Sequence, residues 1–297
     1  MSSIRINPNP MPDLLTALEQ LQQQQDTATL QLSTGSKVNR PSDDPAGAAE
    51  LIEIENLSDQ NDSFQRSVSS LNGLFSNADS TLNSVETALQ RAVSLGTEGA
   101  NGTLSDSDRA AIAAELTGIQ SQLISLANTS YQGEYLFAGT AQVAPFTADP
   151  SSPSGVSYAG NSGTNQVAIG NSYSLQVNLP GSQVFSNPQG DVFQSIQDLI
   201  TALQTNSNIP TAVNETSNAA AYISDRRVFY DNALNQTGAQ QTFLSSESTE
   251  LSQQQSDVAA TDIAATATAL SQDQTSTSAT LDAMAKLQQN SLFSYLQ

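Results

Sequence analysis

Apolar residues recur along much of this chain in alternating steps of four and three, the spacing of a helix that buries one narrow stripe. The longest run is Leu57, Asn61, Phe64, Val68, Leu71, Phe75, Ala78, Leu82, Val85, Leu89 and Ala92, in which Asn61 is the lone polar member. Two further runs lie near the chain ends. Leu14, Leu18, Leu21, Ala28 and Leu32 form the first, with Gln25 in register. Ala260, Ile263, Ala267, Leu270, Leu281 and Met284 form the second, with Gln274, Thr277 and Gln288 in register. Such stripes must be covered by other helices, so the two ends are expected to pair with each other or with other copies.

Between these runs the pattern predicts three more helices and one region without helix. Ile112, Leu116, Ile119, Leu123 and Leu126 predict a helix that folds back on the long one. Val192, Phe193, Ile196, Leu199, Ile200 and Leu203 predict another, which Pro210 is expected to end. A weaker stripe of Ile223, Tyr230, Leu244, Leu251 and Val258 predicts a helix over about 211–258. From about Tyr135 to Phe185 the chain turns rich in Gly, Ser, Asn and Pro. There Tyr173, Leu175, Val177 and Leu179 alternate as a strand does, after a turn at Gly170-Asn171.

The expected fold is mainly α with a small β insert. It would be an elongated folded-back rod with terminal coiled-coil helices, a helical-bundle middle and an antiparallel β domain at the tip. The expected domains are residues 1–38 with 256–297, a terminal assembly domain disordered in the monomer; 39–135 with 190–255, the helical rod; and 136–189, the β insert.

Punctuation supports these boundaries. Pro8, Pro10 and Pro12 predict an extended or disordered start. Gly35 is placed to cap the first helix, and one of Ser42, Asp43 or Asp44 to cap the next, with Pro45 in its first turn. Gly96 to Gly102 is expected to break the long helix, and Ser105 to start its successor.

Composition narrows the function classes. The chain has 297 residues, 37% hydrophobic and 5% aromatic, too little for one large round core but enough for narrow helical seams. Twenty-nine acids against nine bases give a net charge of −20, and Lys37 and Lys286 are the only lysines. Nucleic acid and anionic membranes both demand a basic footprint, so neither is an expected partner. No run is apolar enough to span a bilayer, and the N-terminus has no secretory signal pattern, so export is expected by another route.

Candidate chemistry is sparse. The chain lacks His and Cys, which removes the commonest general base, the thiolate nucleophile and the commonest metal ligands. No glycine-rich nucleotide loop, serine elbow or calcium loop is present. Asp43-Asp44 before Pro45 reads as a helix cap rather than an acid–base pair. No enzyme, no cofactor and no metal site is expected.

Several segments together resemble a known family. Leu32-Ser-Thr-Gly-Ser-Lys-Val-Asn-Arg-Pro-Ser-Asp-Asp-Pro-Ala-Gly-Ala-Ala49 resembles the N-terminal signature of the flagellin superfamily. Gln132-Gly-Glu-Tyr-Leu-Phe-Ala-Gly-Thr140, Pro145-Phe146, Tyr158-Ala-Gly-Asn161, Gly181-Ser-Gln-Val-Phe185 and Ser291-Leu-Phe-Ser-Tyr-Leu296 resemble its hook-associated branch, at the hook–filament junction. The resemblance implies a structural subunit of the extracellular bacterial flagellum, exported by the flagellar type III apparatus. It implies a homo-oligomeric ring, a hook-associated protein on the hook side, flagellin on the filament side, and a cytosolic export chaperone on the C-terminal helix. A short flagellin, or less closely a secreted adhesin or binding module, is the alternative. The residues expected at the assembly interface are Leu14, Leu18, Leu21, Leu32, Ile263, Leu270, Leu281 and Met284. Those of the rod core are Phe64, Val68, Leu71, Phe75, Leu82, Val85 and Leu89. Those of the signature loop are Asn39, Arg40, Asp43, Asp44 and Pro45.

Overall fold

A computed structural model describes residues 11–187 and 190–295, with side chains as far as Leu287 in the last helix. Pro8 and Pro10, and the side chains of Gln288 and of Ser291–Leu296, therefore lie outside the described residues. The elements in order are α1 (Met11–Thr34), α2 (Pro45–Gly99), α3 (Asp106–Ala127), β1 (Ser130–Tyr131), β2 (Glu134–Tyr135), β3 (Phe146–Ala148), β4 (Val156–Tyr158), β5 (Gln166–Gly170), β6 (Tyr173–Gln176), α4 (Gly181–Val184), α5 (Val192–Thr205), α6 (Ile209–Ala259) and α7 (Ile263–Tyr295). The mainly α fold with a small antiparallel β portion is as expected. Residues 61–247 form one compact unit; residues 1–60 with 248–297 form the other.

In the larger unit the core follows the stripe on α2. Val68, Phe75, Ala78, Leu82, Val85, Leu89 and Ala92 are fully buried, Leu71 nearly so, and Phe64 packs against them. Each large side chain here contributes about 1.5–3 kcal/mol by leaving water. Leu57, counted in the same stripe, is 41% exposed and belongs to the other unit. α6 mixes large residues with small and polar ones in this core: Ile223, Tyr230 and Leu244 are buried beside Thr216, Ala219, Ala233 and Thr237. Alanine and threonine dilute the apolar signal, which is why its periodicity looks weak in the sequence.

Polar contacts set the two long helices against each other. Asn61 is buried, and its Nδ2 donates to the Leu244 carbonyl at 2.9 Å; Gln65 Nε2 donates to the same oxygen at 3.3 Å. The Thr237 hydroxyl donates to Asn72 Oδ1. Arg227 donates through Nε to Asp79 Oδ1 at 2.9 Å and through Nη1 to Glu86 Oε2 at 3.0 Å. These two carboxylates hold its guanidinium above the usual arginine range, hydrogen bonding to Asp79 being the largest cause. A slip by one heptad would keep apolar residues facing each other but separate Thr237 from Asn72 and leave Arg227 with one of its two carboxylates, which lie seven residues apart.

α2 ends at Gly99, inside the Gly96–Gly102 stretch expected to break it, and its last glycines have a second role. They let neighbouring side chains approach: a Cβ at Gly96 would come within 2.7 Å of Val213 and 2.9 Å of Leu199, and one at Gly99 within 2.2 Å of Leu203. Pro210 does not end α5. That helix closes at Asn206, which takes the left-handed conformation at φ 49°, and Pro210 sits in the first turn of α6, where its missing N–H is no loss. Pro12 is likewise inside the first turn of α1 rather than in an extended lead. Ser105 starts α3 with a reciprocal capping box to Asp108.

Three two-stranded hairpins follow α3. The first turns through Gln132 at φ 53° and Gly133 at φ 90°, a type I′ pattern. The last pairs Gly170 with Tyr173, so its two turn residues are Asn171 and Ser172 rather than Gly170-Asn171. β6 ends at Gln176; Val177, Asn178 and Leu179 are buried but leave the sheet. Asn178 takes their place as a tie, with Oδ1 accepting from Asn165 N at 2.7 Å and Nδ2 donating to the carbonyls of Gly139 and Gly163, each at 3.1 Å. Beneath lies an aromatic cluster. Phe146 is 5.3 Å from Phe185, 5.1 Å from Phe193 and 5.0 Å from Tyr158, and Phe137 is 5.1 Å from Phe185, centroid to centroid.

Two outcomes follow for this unit. Arg227→Met leaves two half-buried carboxylates without their shared donor, and is expected to lower unfolding free energy by about 2 kcal/mol, read by urea denaturation. The Asp191 carboxylate caps α5 through Gln194 N at 2.8 Å, and burial pushes its pKa up, with Asp198 adding repulsion. The folded chain thus holds that proton more readily than the unfolded one. Its contribution is full below the ordinary Asp range and falls as pH rises through the folded value. Asp191→Asn keeps a capping oxygen and should raise the melting temperature at neutral pH, the gain vanishing in acid.

Candidate assembly surface

The first and last helices meet in the smaller unit. α1 and α7 pack antiparallel along their length, and the link between them is closed by backbone pairing. Ser36 and Ala260 form an isolated antiparallel bridge, Lys37 N donates to Ala259 O at 2.7 Å, and Thr261 N donates to Gly35 O at 3.0 Å. Gly35 makes this turn possible at φ +71°.

The signature loop after Gly35 is held almost wholly by its own side chains. Asp43 Oδ2 accepts from Asn39 N at 3.1 Å and from Arg40 N at 2.8 Å. Asn39 Nδ2 donates to Ser36 O at 2.7 Å, and Gln31 Nε2 reaches back to Lys37 O at 3.2 Å. Asp44 Oδ1 accepts from Gly47 N at 3.0 Å, with Pro45 as the first residue of α2. Asp44 is therefore the cap, and Asp43 braces the turn before it. A Cβ at Gly47 would come within 2.6 Å of the Asp44 carboxylate, so the cap depends on a glycine there. Both acids are occupied by backbone N–H groups, an arrangement that builds a turn and performs no acid–base chemistry.

The seam between α1 and α7 is thin. On α1, Leu14, Leu18, Leu21, Gln25 and Leu32 are half-buried and Ala28 alone is fully buried. On α7 the half-buried positions are Thr266, Leu270, Asp273, Ser276, Thr277, Thr280 and Met284. Without Ser276 they follow four–three spacing; Leu270, Thr277 and Met284 coincide with the run in the sequence, and Thr266, Asp273 and Thr280 each lie one residue before a member of it. Leu270 and Met284 lie on the seam. Ile263, 63% exposed, and Leu281, 49% exposed, lie outside it, with Ala267 and Gln274. Gln25 Nε2 donates to Thr277 Oγ1 at 2.7 Å across the seam. The sequence did not single out Thr266, Asp273 and Thr280, because polar residues carry no apolar periodicity. Their heptad spacing was the available signal.

This surface suits helix association rather than catalysis. The groove beside the seam is open and mixed in character, lined by Gln20, Gln24, Thr266 and Asp273 together with Ala28 and Ala269. Among the described residues no group of carboxylates is placed to hold a metal. Phe64, Val68, Leu71, Phe75, Leu82, Val85 and Leu89 lie in the core of the larger unit. So does the Tyr135–Thr140 segment: Leu136, Phe137 and Ala138 are buried, and Thr140 N donates to Asn161 Oδ1 at 2.9 Å.

Comparison with known proteins gives consistent matches. Residues 9–142 match the family model for the bacterial flagellin N-terminal helical region. Flagellar hook-associated protein 3 of Escherichia coli is 30% identical over 292 residues, covering 89% of this chain and 90% of that protein. Its counterpart in Salmonella typhimurium is 32% identical over 235 residues, covering 75% and 73%. Among solved structures, a putative flagellar hook-associated protein from Vibrio parahaemolyticus superposes with a TM-score of 0.67 at 22% identity, over 73% of this chain and all of that one.

The Gln25–Thr277 pair gives a direct test of the seam. Replacing both, Gln25→Leu with Thr277→Val, removes the polar pair without orphaning either partner. The helix pair should gain about 1 kcal/mol, and light scattering should detect self-association at lower protein concentration. Unchanged scattering and melting would show that the pair does not limit the seam.

Proposed function

The chain belongs to the flagellar hook-associated protein 3 family of the flagellin superfamily, and from that premise we propose that it is the subunit joining the hook of the bacterial flagellum to its filament. The observation that carries this reading is the 30% identity sustained over 89% of the chain to a protein of that name. The work is structural. A junction subunit must present surfaces to unlike neighbours and transmit torque, and a continuous α2 of 55 residues with a buried stripe resists bending.

Finer assignments build on that role. The subunit forms a homo-oligomeric ring, with a hook-associated protein on one side and flagellin on the other. Residues 1–38 and 256–297 serve as the assembly domain, 39–135 and 190–255 as the rod, and 136–189 as the β insert. The interface residues are Leu14, Leu18, Leu21, Leu32, Ile263, Leu270, Leu281 and Met284. Exposure of Ile263 and Leu281 on α7, and of Leu15 and Leu30 on α1, supports this reading, because apolar side chains at helical spacing favour cover by further helices. The same exposed face of α7 suits a cytosolic chaperone before export through the type III apparatus. Outside the cell, neighbouring subunits replace it.

Immunogold labelling of intact flagella with antibody against residues 136–189 tests the role. A single band where hook meets filament is the expected result. Label along the whole filament would make the chain a flagellin, and unlabelled flagella would remove it from the organelle.

A further inference from the structure

The signature loop leaves two cations unused. Lys37 and Arg40 are both exposed, and among the described residues neither lies within ion-pairing distance of a carboxylate. The two acids beside them are turned to the backbone instead, Asp43 Oδ2 accepting from the N–H groups of Asn39 and Arg40 and Asp44 Oδ1 from that of Gly47. The backbone beneath is pinned as well, by Ala259 and by Gln31. In a chain of net charge −20, a rigid turn thus holds two free positive charges next to the exposed Pro41.

The same unit carries the complementary feature. On the first turns of α2, Ile52, Glu55 and Asp59 fall at positions i, i+3 and i+7, on one helix face. Ile52 is 59% exposed, and Glu55 and Asp59 are exposed without a basic partner among the described residues. An apolar centre with two free carboxylates matches an exposed proline with two free cations.

The geometry points to a head-to-tail contact between copies of this chain, in which the Lys37–Arg40 loop of one subunit docks on the Ile52–Glu55–Asp59 face of the next. The inference rests on the reading of the chain as an assembling subunit and names the charge pairing that orders its neighbours. Two different patches on one subunit make a heterologous contact, which closes into a ring when the rotation permits. A self-complementary patch would stop at a dimer. Paired charges at the rim also select the correct neighbour and repel a wrong one among strongly acidic subunits.

A charge-swap cycle in the producing bacterium tests this, with the chromosomal copy replaced and purified variants checked for unchanged helical circular dichroism. Lys37→Glu with Arg40→Glu, and separately Glu55→Lys with Asp59→Lys, should each abolish junction label and filaments while the secreted chain collects in the medium. All four substitutions in one chain restore opposite charges across the contact, and should bring back label and filaments. Normal assembly by either two-site variant would overturn the contact, as would a four-site chain no better than the worse of the two. Loss in the loop variant alone would assign the cations to another protein and overturn self-pairing. Failure of the junction reading would appear instead in the unaltered chain, as label placed elsewhere.

Discussion

Everything in the larger unit depends on one constraint: the stripe on α2 must be covered along its length. From Val68 to Leu95 its core positions are essentially without solvent contact. No single short helix can cover such a length, so the task is shared among α3, α5 and α6 and the cluster beneath the hairpins. Apolar burial supplies most of the stabilisation, but it is blind to a shift by one heptad. The side-chain contact of Thr237 with Asn72, and the need of Arg227 for both Asp79 and Glu86, reduce that ambiguity. The arrangement has a cost, since Asn61 Oδ1 is buried without a partner, a loss of about 1–3 kcal/mol.

The hairpins solve a different problem. None has enough strands to be stable alone. They are held instead by asparagine ties, of which Asn178 is buried, and by Phe137, Phe146, Phe185 and Phe193 packed edge to face, tilted or stacked. The conspicuous run from Tyr135 to Thr140 is explained by this packing. Phe137 fills the cluster, its carbonyl accepts from Gly181 N at 2.7 Å, and Gly139 at φ +74° lets Asn161 sit close to the backbone. A run that stands out as a sequence signature is here a recipe for a core.

The smaller unit follows the opposite principle. Its helices are long, yet α1 buries only Ala28 completely and packs on α7 through a half-buried seam with polar members. A pair so thinly covered gains little over the entropy of ordering two long segments. That balance suits a surface meant to gain most of its buried area from neighbours, while the locked loop at 35–44 keeps the entry to α2 in one shape.

Much was legible in the residues alone. Heptad spacing along α1, α2 and α3 revealed those helices, because burial of one stripe repeats every three or four residues whatever covers it. The absence of His and Cys, the acid excess and the loop signature pointed to an assembling subunit without chemistry of its own. Caps at Ser105 and at Asp43-Asp44 were visible because their side chains act on neighbours in sequence. What stayed hidden depended on distant partners. Gly96 and Gly99 mark the end of α2 in the sequence, but their close packing against Leu199 and Leu203 does not show there. Asn61 looks optional until the Leu244 carbonyl appears opposite. The face that α7 turns to α1 was set by Thr266, Asp273 and Thr280, not by Ile263 and Leu281, since polar residues advertise no stripe. Local sequence decided where helices form and end, because those forces act within a few residues; only the tertiary structure decided which faces meet, because that depends on what lies across the seam.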